Sequence, residues 1–281
     1  MKINRLTLMI SSVFILFVTA GFTFSGTLLA YNLKEYYPLG EGDTWVYKLV
    51  VNEGNVEIID QEIAKIKGTE KIGKVETRKI MSLQSKNQCV AIDSEGVKLY
   101  KYWGWFNGDY ETYEPPKMFF PNNMKVGESR TYKIISTIYD VRDIEDERIR
   151  DAGVLTITLA SIEDVEVRAG KFKNCLKFVS VYDFEEKNEA EIGKETITTW
   201  LAPGIGRIKI EHNSVQYCQD ARYCQNEKKE DKITESLELT EAMIKGKMVP
   251  PGSPPFKHAP AKIGHYPHYP QQINIKNKSS K

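Results

Sequence analysis

Along most of this chain, apolar and polar side chains alternate with a period of two. Between Thr196 and Glu211, Ile197 and Thr199 alternate with Thr198 and Trp200, and Ile208 and Ile210 alternate with Arg207, Lys209 and Glu211. That is the pattern of strands with one wet and one dry face. Between the two runs, Pro203-Gly204 supplies a preset φ followed by a residue that accepts positive φ, and Gly206 adds a second permissive position. This hairpin is expected to be the hub of a mainly β domain: a curved antiparallel sheet, built as a half-barrel or a sandwich.

The same period predicts the other strands. Trp45 and Tyr47 share a face between Asp43 and Val51. Residues 55–67 and 71–83 are expected to pair about a turn at Lys67-Gly68-Thr69, and Gln88 to Asp93 is expected to pair with Gly96 to Trp105 about Asp93-Ser94-Glu95-Gly96. Gly42-Asp43-Thr44-Trp45-Val46-Tyr47-Lys48 is echoed by Gly127-Glu128-Ser129-Arg130-Thr131-Tyr132-Lys133, and each copy follows a proline, Pro38 or Pro121. The echo is either a duplication of half a domain or one loop-to-strand solution used twice. After a strand over residues 130–139, the charged stretch Asp140 to Asp151 has sparse apolar positions and is expected to be a loop. Further strands follow on both sides of Ala169-Gly170-Lys171, and the last runs from Ile233 to Thr240.

Both ends differ from this body. Lys2 and Arg5 precede an uncharged apolar run from Leu6 to Ala30, the layout of an export segment, with Val18-Thr19-Ala20 as the better cleavage pattern. The run is also long enough to remain as an inner-membrane anchor. No cysteine follows it, so the pattern of a lipid-anchored lipoprotein is missing. From Lys245 to Lys281 there are seven lysines, no acidic residue and seven of the twelve prolines, the composition of a disordered tail. The expected organisation is therefore 1–30 as signal peptide or anchor, 31–244 as an extracytoplasmic β-rich domain, periplasmic or secreted, and 245–281 as tail. The two ends hold nine of the thirty-nine basic residues and none of the acids, which leaves the body with thirty basic against thirty-eight acidic side chains. An acidic body without a basic stripe excludes nucleic acid as a partner.

Four cysteines in an exported chain point to disulfides. Cys218 and Cys224 bracket a short polar loop and are the natural pair, which leaves Cys89 and Cys175 for each other unless Cys175 is a buried thiol. The chain has no Gly-x-Ser-x-Gly elbow, His-Glu-x-x-His, phosphate loop or dinucleotide fingerprint. The lone body histidine, His212, reads as an exposed strand-end residue, and no catalytic residue, cofactor or metal is assigned. The aromatic run Tyr100 to Tyr113 stands out, with Asn107-Gly108 as a turn signal at its centre. Tyr102, Trp103, Trp105, Phe106, Tyr110 and Tyr113 are the candidate ligand-contacting rings, unless they simply cap the open end of the sheet.

Several short motifs occur in order: Tyr37-Pro38-Leu39 with Gly42-Asp43-Thr44-Trp45-Val46-Tyr47; Phe120-Pro121 with Gly127-Glu128-Ser129; Gly170-Lys171-Phe172-Lys173-Asn174-Cys175; and Trp200-Leu201-Ala202-Pro203-Gly204-Ile205-Gly206. In these the chain resembles a family of exported bacterial β-rich proteins of uncharacterised role. The resemblance implies an extracytoplasmic curved sheet similar to the half-barrels of lipoprotein carriers, and it brings no catalytic residues. The expected function is a non-catalytic binding domain of the cell envelope, holding an apolar ligand or an envelope protein. A structural or assembly protein, or a hydrolase of envelope polymers, is the alternative. Membrane contact is expected only through the N-terminal segment if it is retained.

Overall fold

The computed structural model describes residues 31–53, 56–83, 87–104, 110–140, 143–186, 191–218 and 230–251. A short helix, α1 (Leu33–Tyr36), is followed by thirteen antiparallel strands: β1 (Thr44–Glu53), β2 (Val56–Ile72), β3 (Val75–Ser82), β4 (Asn87–Ile92), β5 (Gly96–Trp103), β6 (Tyr110–Pro121), β7 (Ser129–Asp140), β8 (Asp143–Val167), β9 (Gly170–Glu186), β10 (Glu191–Ala202), β11 (Gly206–Cys218), β12 (Glu230–Ile244) and β13 (Lys247–Val249). Each strand pairs with the next, and β1 also pairs with β12. The sheet is therefore a closed twelve-stranded barrel with one added strand, not the half-barrel or sandwich expected from the alternation. Closure pairs Thr44 with Met243 at one end of the seam and Glu53 with Ile233 at the other, so the first and last long strands satisfy each other's edge amides and carbonyls. Period-two patterning reports which face is dry; it does not report whether the two edges meet.

Three local expectations change. β2 runs straight through Gly68 with a bulge between Ile66 and Thr69, and the turn comes at Gly73-Lys74. From Asp143 onward the charged stretch is strand and not loop, because β8 keeps its ladder with β7 from Ala152 back through Arg150 and Ile149. The folded chain also extends past residue 244, since β13 pairs Val249 with Ala242. The hairpins at Asp93 to Gly96, at Ala169-Gly170 and at Pro203-Gly204 lie where the turn residues placed them.

Register sorts the two faces. Inward-facing Trp45, Tyr47, Ile66, Val90, Leu99, Ile157, Phe178 and Leu239 are buried and join one continuous core. Outward positions include Lys79, Lys133, Lys177, Lys194 and Lys209, with Lys194 facing Asp183 at 3.6 Å. Charge at this density cannot face acyl chains, so the outer surface is wet rather than the lipid band of a membrane barrel. No helix among the described residues is long and apolar enough to cross a membrane.

The end at which β1 begins is closed, and we call it the floor. Tyr31, Leu33 and Tyr37 enter the core there, with Leu33 fully buried. The Tyr31 hydroxyl donates to the Pro121 carbonyl at 2.8 Å and accepts from the Met124 amide at 3.3 Å. Gly204 N–H donates to the Glu35 carbonyl, and Trp45 Nε1–H donates to the Ile205 carbonyl at 2.6 Å. The Pro203-Gly204 turn is thus drawn into the floor between α1 and Trp45. The opposite end, at which β1 stops and β6 starts, is the mouth.

The barrel has two matching corners. Gly42 and Gly127 both adopt left-handed backbone, φ 86° and 84°, where a side chain would be strained. Gly42 N–H donates to the Ile66 carbonyl and Ile66 N–H to that of Asp43; Gly127 N–H donates to the Leu159 carbonyl and Leu159 N–H to that of Glu128. The carboxylate that follows each glycine also accepts a backbone amide three residues upstream, Asp43 from Gly40 and Glu128 from Lys125. The echo in the sequence therefore marks corresponding corners of two six-strand halves, β1–β6 and β7–β12.

Candidate functional site

The aromatic run divides between the two faces of the sheet. Tyr102 on β5 and Tyr113 on β6 point into the lumen near the mouth; Trp103 and Tyr110 lie opposite each other on the outer face. Outside, Lys101 Nζ sits 4.8 Å from the Tyr110 ring centre and 5.7 Å from that of Trp103, and bonds Glu70 at 3.0 Å. Tyr110 stacks on Tyr139 with centroids 4.8 Å apart. Trp105, Phe106 and the Asn107-Gly108 turn lie outside the described residues. The four described rings do not form one surface: alternation sends neighbouring side chains to opposite faces.

Other residues complete the lumenal wall, and they were not singled out in the sequence. Tyr182 and Phe184 on β9 stack at 5.5 Å. Each ring lies over a glycine of an adjacent strand. A Cβ on Gly153 would come within 2.3 Å of Tyr182, and one on Gly193 within 2.1 Å of Phe184. The missing side chains let both rings lie along the wall instead of crossing the lumen. Lys117 Nζ stands 4.4 Å from the Tyr182 ring and 5.5 Å from Tyr113, a favourable cation and π-face pairing. Burial, followed by Glu111, pushes the Tyr113 hydroxyl well above its ordinary pKa.

His212 is not an exposed strand-end residue. It lies within β11, half-buried, with Nδ1 3.6 Å from Glu235 and Nε2 4.0 Å from Glu195. Register places Asp60, Glu62, Glu111, Glu195 and Glu235 on the lumenal face, against Lys117, His212 and, near the floor, Arg207. Isolated acids were too numerous in the sequence to choose among; pairing in the barrel selects these. The buried Ser136 hydroxyl and Gln88 carbonyl have no hydrogen-bond partner among the described residues, and such groups are normally satisfied by a polar occupant or water. The mouth is thus an acidic, tyrosine-lined cup.

The floor half is filled. The cavity beside Tyr37, Trp45, Tyr47 and Arg207 measures about 10 Å³, room for about one water and far below the ~300 Å³ of a small-molecule pocket. Cys89 on β4 and Cys175 on β9 are both free and buried, so the expected bridge between them is absent. The two strands belong to different halves of the barrel, and a disulfide needs Cα atoms within about 7 Å. Burial pushes both thiols up to about 11. Cys224 and the Cys218 side chain lie outside the described residues, as do the tail histidines. No group of three or more metal-ligating side chains is present among the described residues.

No protein-family profile and no curated protein matches the chain. Among solved structures, a Parabacteroides distasonis protein assigned as a lipoprotein is 13% identical, covering 74% of this chain and 97% of its own at a TM-score of 0.38. A Bacteroides fragilis protein assigned as exported, with a YmcC-like fold, is 11% identical, covering 74% and 98% at a TM-score of 0.29. Likenesses this slight carry no weight for function.

Proposed function

We propose that this chain is a non-catalytic extracytoplasmic binding module of the cell envelope whose acidic mouth holds an amine-bearing partner, such as a basic segment of another envelope protein. The observation that carries this reading is the inward set of four carboxylates, Asp60, Glu111, Glu195 and Glu235, facing two cations, Lys117 and His212, beside tyrosine faces kept against the wall by Gly153 and Gly193. Carboxylates and aromatic faces in a partly desolvated cup attract ammonium and guanidinium groups. The filled floor favours this over an enclosed apolar ligand. A hydrolase of envelope polymers needs two carboxylates open to substrate on either side of a bond, whereas Glu195 and Glu235 both face the imidazole of His212. Export is supported by the basic and apolar start of the chain.

Native mass spectrometry of the protein isolated from its own host is the test. The expected result is a co-purifying polyamine or basic polypeptide that is lost in the Glu195→Gln, Glu235→Gln double variant. Co-purification of a lipid, turnover of a glycan, or no bound species at all would overturn the reading.

A further inference from the structure

The floor holds a cation that the mouth reading does not use. Arg207 stands at the start of β11, where its carbonyl accepts from the Tyr47 hydroxyl at 3.0 Å. Its guanidinium carbon lies over the Tyr37 ring, 5.8 Å from the centre. Among the described residues that guanidinium makes no hydrogen bond and no ion pair. The carboxylate that acts on it from β2, Glu62, is buried and accepts from the Ser82 hydroxyl. Tyr37 is equally short of a partner: it is 4% exposed, and its buried hydroxyl meets no hydrogen-bonding group among the described residues. Burial raises the pKa of this hydroxyl against the pull of Arg207, so it remains a donor. At Arg207 burial opposes the charge, and Tyr37, Tyr47 and Glu62 outweigh it. Both side chains line the cavity of about 10 Å³, whose other walls include Pro38, Trp45 and Ile80.

We propose that Arg207 and Tyr37 hold a single halide ion of chloride size in the floor, between the guanidinium N–H groups and the Tyr37 O–H. A guanidinium only donates, and the phenol can donate to the same acceptor. A cation taken out of water needs a counter-charge or hydrogen bonds to offset its desolvation, and an anion between the two groups supplies both. Volume sets the class of ligand: room for about one water admits a monatomic anion and shuts out carboxylates, phosphate and sulfate. The ion ties the segment ahead of β1 to the start of β11, at the point where the Pro203-Gly204 turn is drawn into the floor. This inference is independent of what the mouth holds, because neither Arg207 nor Tyr37 belongs to the set that faces the mouth.

Thermal unfolding of the full-length protein tests it, with chloride replacing gluconate at constant ionic strength. An ion bound only by the folded state should raise Tm by about 3–6 °C for each tenfold rise in chloride above its dissociation constant. Tyr37→Phe keeps the ring and removes one donor to a charge, so the chloride needed for the same rise should increase about tenfold or more. In Arg207→Gln the dependence should vanish. Crystals grown in sodium bromide should show anomalous scattering from a bromide within hydrogen-bonding reach of Arg207 and Tyr37. The Glu195→Gln, Glu235→Gln double variant should keep the chloride effect in full; its loss there would place the effect in the mouth and overturn the proposal. A Tm indifferent to chloride at fixed ionic strength would mean that the floor holds only water, and a chloride effect unchanged in Tyr37→Phe would remove the site. A bromide peak without the stability effect would mean an adventitious ion only, and would overturn the proposal as well.

Discussion

Cys89 and Cys175 show how the same residue type is read differently once its neighbours are known. An even cysteine count in an exported chain argued for bridges, but the barrel places the two thiols in separate halves, each desolvated to a pKa of about 11. At pH 8 about one such thiol in a thousand is ionised, and only the thiolate reacts. Brief iodoacetamide treatment followed by peptide mapping should leave both unmodified in the folded protein and alkylate both in urea; native labelling at the rate of a free peptide would show the burial to be wrong. Gly193 makes the complementary point, since its value lies in the ring it admits. Gly193→Ala should drive Phe184 off the wall and lower stability by about 1–3 kcal/mol, as overpacking does, seen as a drop in the urea midpoint. None of this was visible from alternation, which assigns a face and not a neighbour.

Among the elements, the Pro203-Gly204 hairpin was the most legible; it is one pair in a closed ring and not a hub, and α1 and Trp45 hold its turn. The α1 segment was much less legible. Four residues carry no helical period, yet Leu33 fills the floor completely. Leu33→Ala should cost about 2–5 kcal/mol by urea denaturation, the range for a fully buried leucine; a loss under about 1 kcal/mol would mean that the barrel closes without its plug. On the outer side of the same hairpin, Trp200 lies between Lys177 and Lys209, 5.0 and 4.7 Å from its ring, and donates Nε1–H to Glu163 at 2.7 Å. That bond, with a second from Ser161, holds the Glu163 carboxyl below its ordinary value against the opposing effect of burial. A depressed folded-state pKa stabilises the fold above the ordinary carboxylate value and loses that contribution as pH falls through the folded value. Carboxyl NMR titration should therefore find Glu163 low in the wild type and shifted up in Trp200→Phe, with acid unfolding of the variant starting at higher pH. Unchanged titration would remove Trp200 as the cause.

At the scale of the whole molecule, the echoed Gly42 and Gly127 corners were legible as a repeat, while their meaning needed the topology. They open two six-strand halves, which must meet at two seams. The β12–β1 seam is long, running from Thr44 opposite Met243 to Glu53 opposite Ile233. The β6–β7 seam pairs only Tyr110 to Tyr113 with Ser136 to Tyr139. The reason is local: Pro115 and Pro116 follow at once on β6, and neither has an N–H to give to the ladder. Elsewhere the pairing ranges from fourteen matched positions between β8 and β9 to three between β3 and β4, where Arg78 to Ile80 face Val90 to Gln88. Local opening follows the weakest hydrogen-bonded units, so the barrel should part first at its two short ladders, β3–β4 and, beside the tyrosines that line the mouth, β6–β7. Hydrogen exchange read by mass spectrometry should show peptides from Glu111 to Tyr113 and Ser136 to Tyr139 exchanging well before those of β8 and β9, while the β12–β1 peptides remain protected. Equal protection at both seams would mean that the core, and not the ladder, holds the halves together. A partner that binds the mouth would slow exchange at the short seam first, because Tyr113 and Ser136 face each other across it and both point into the cup.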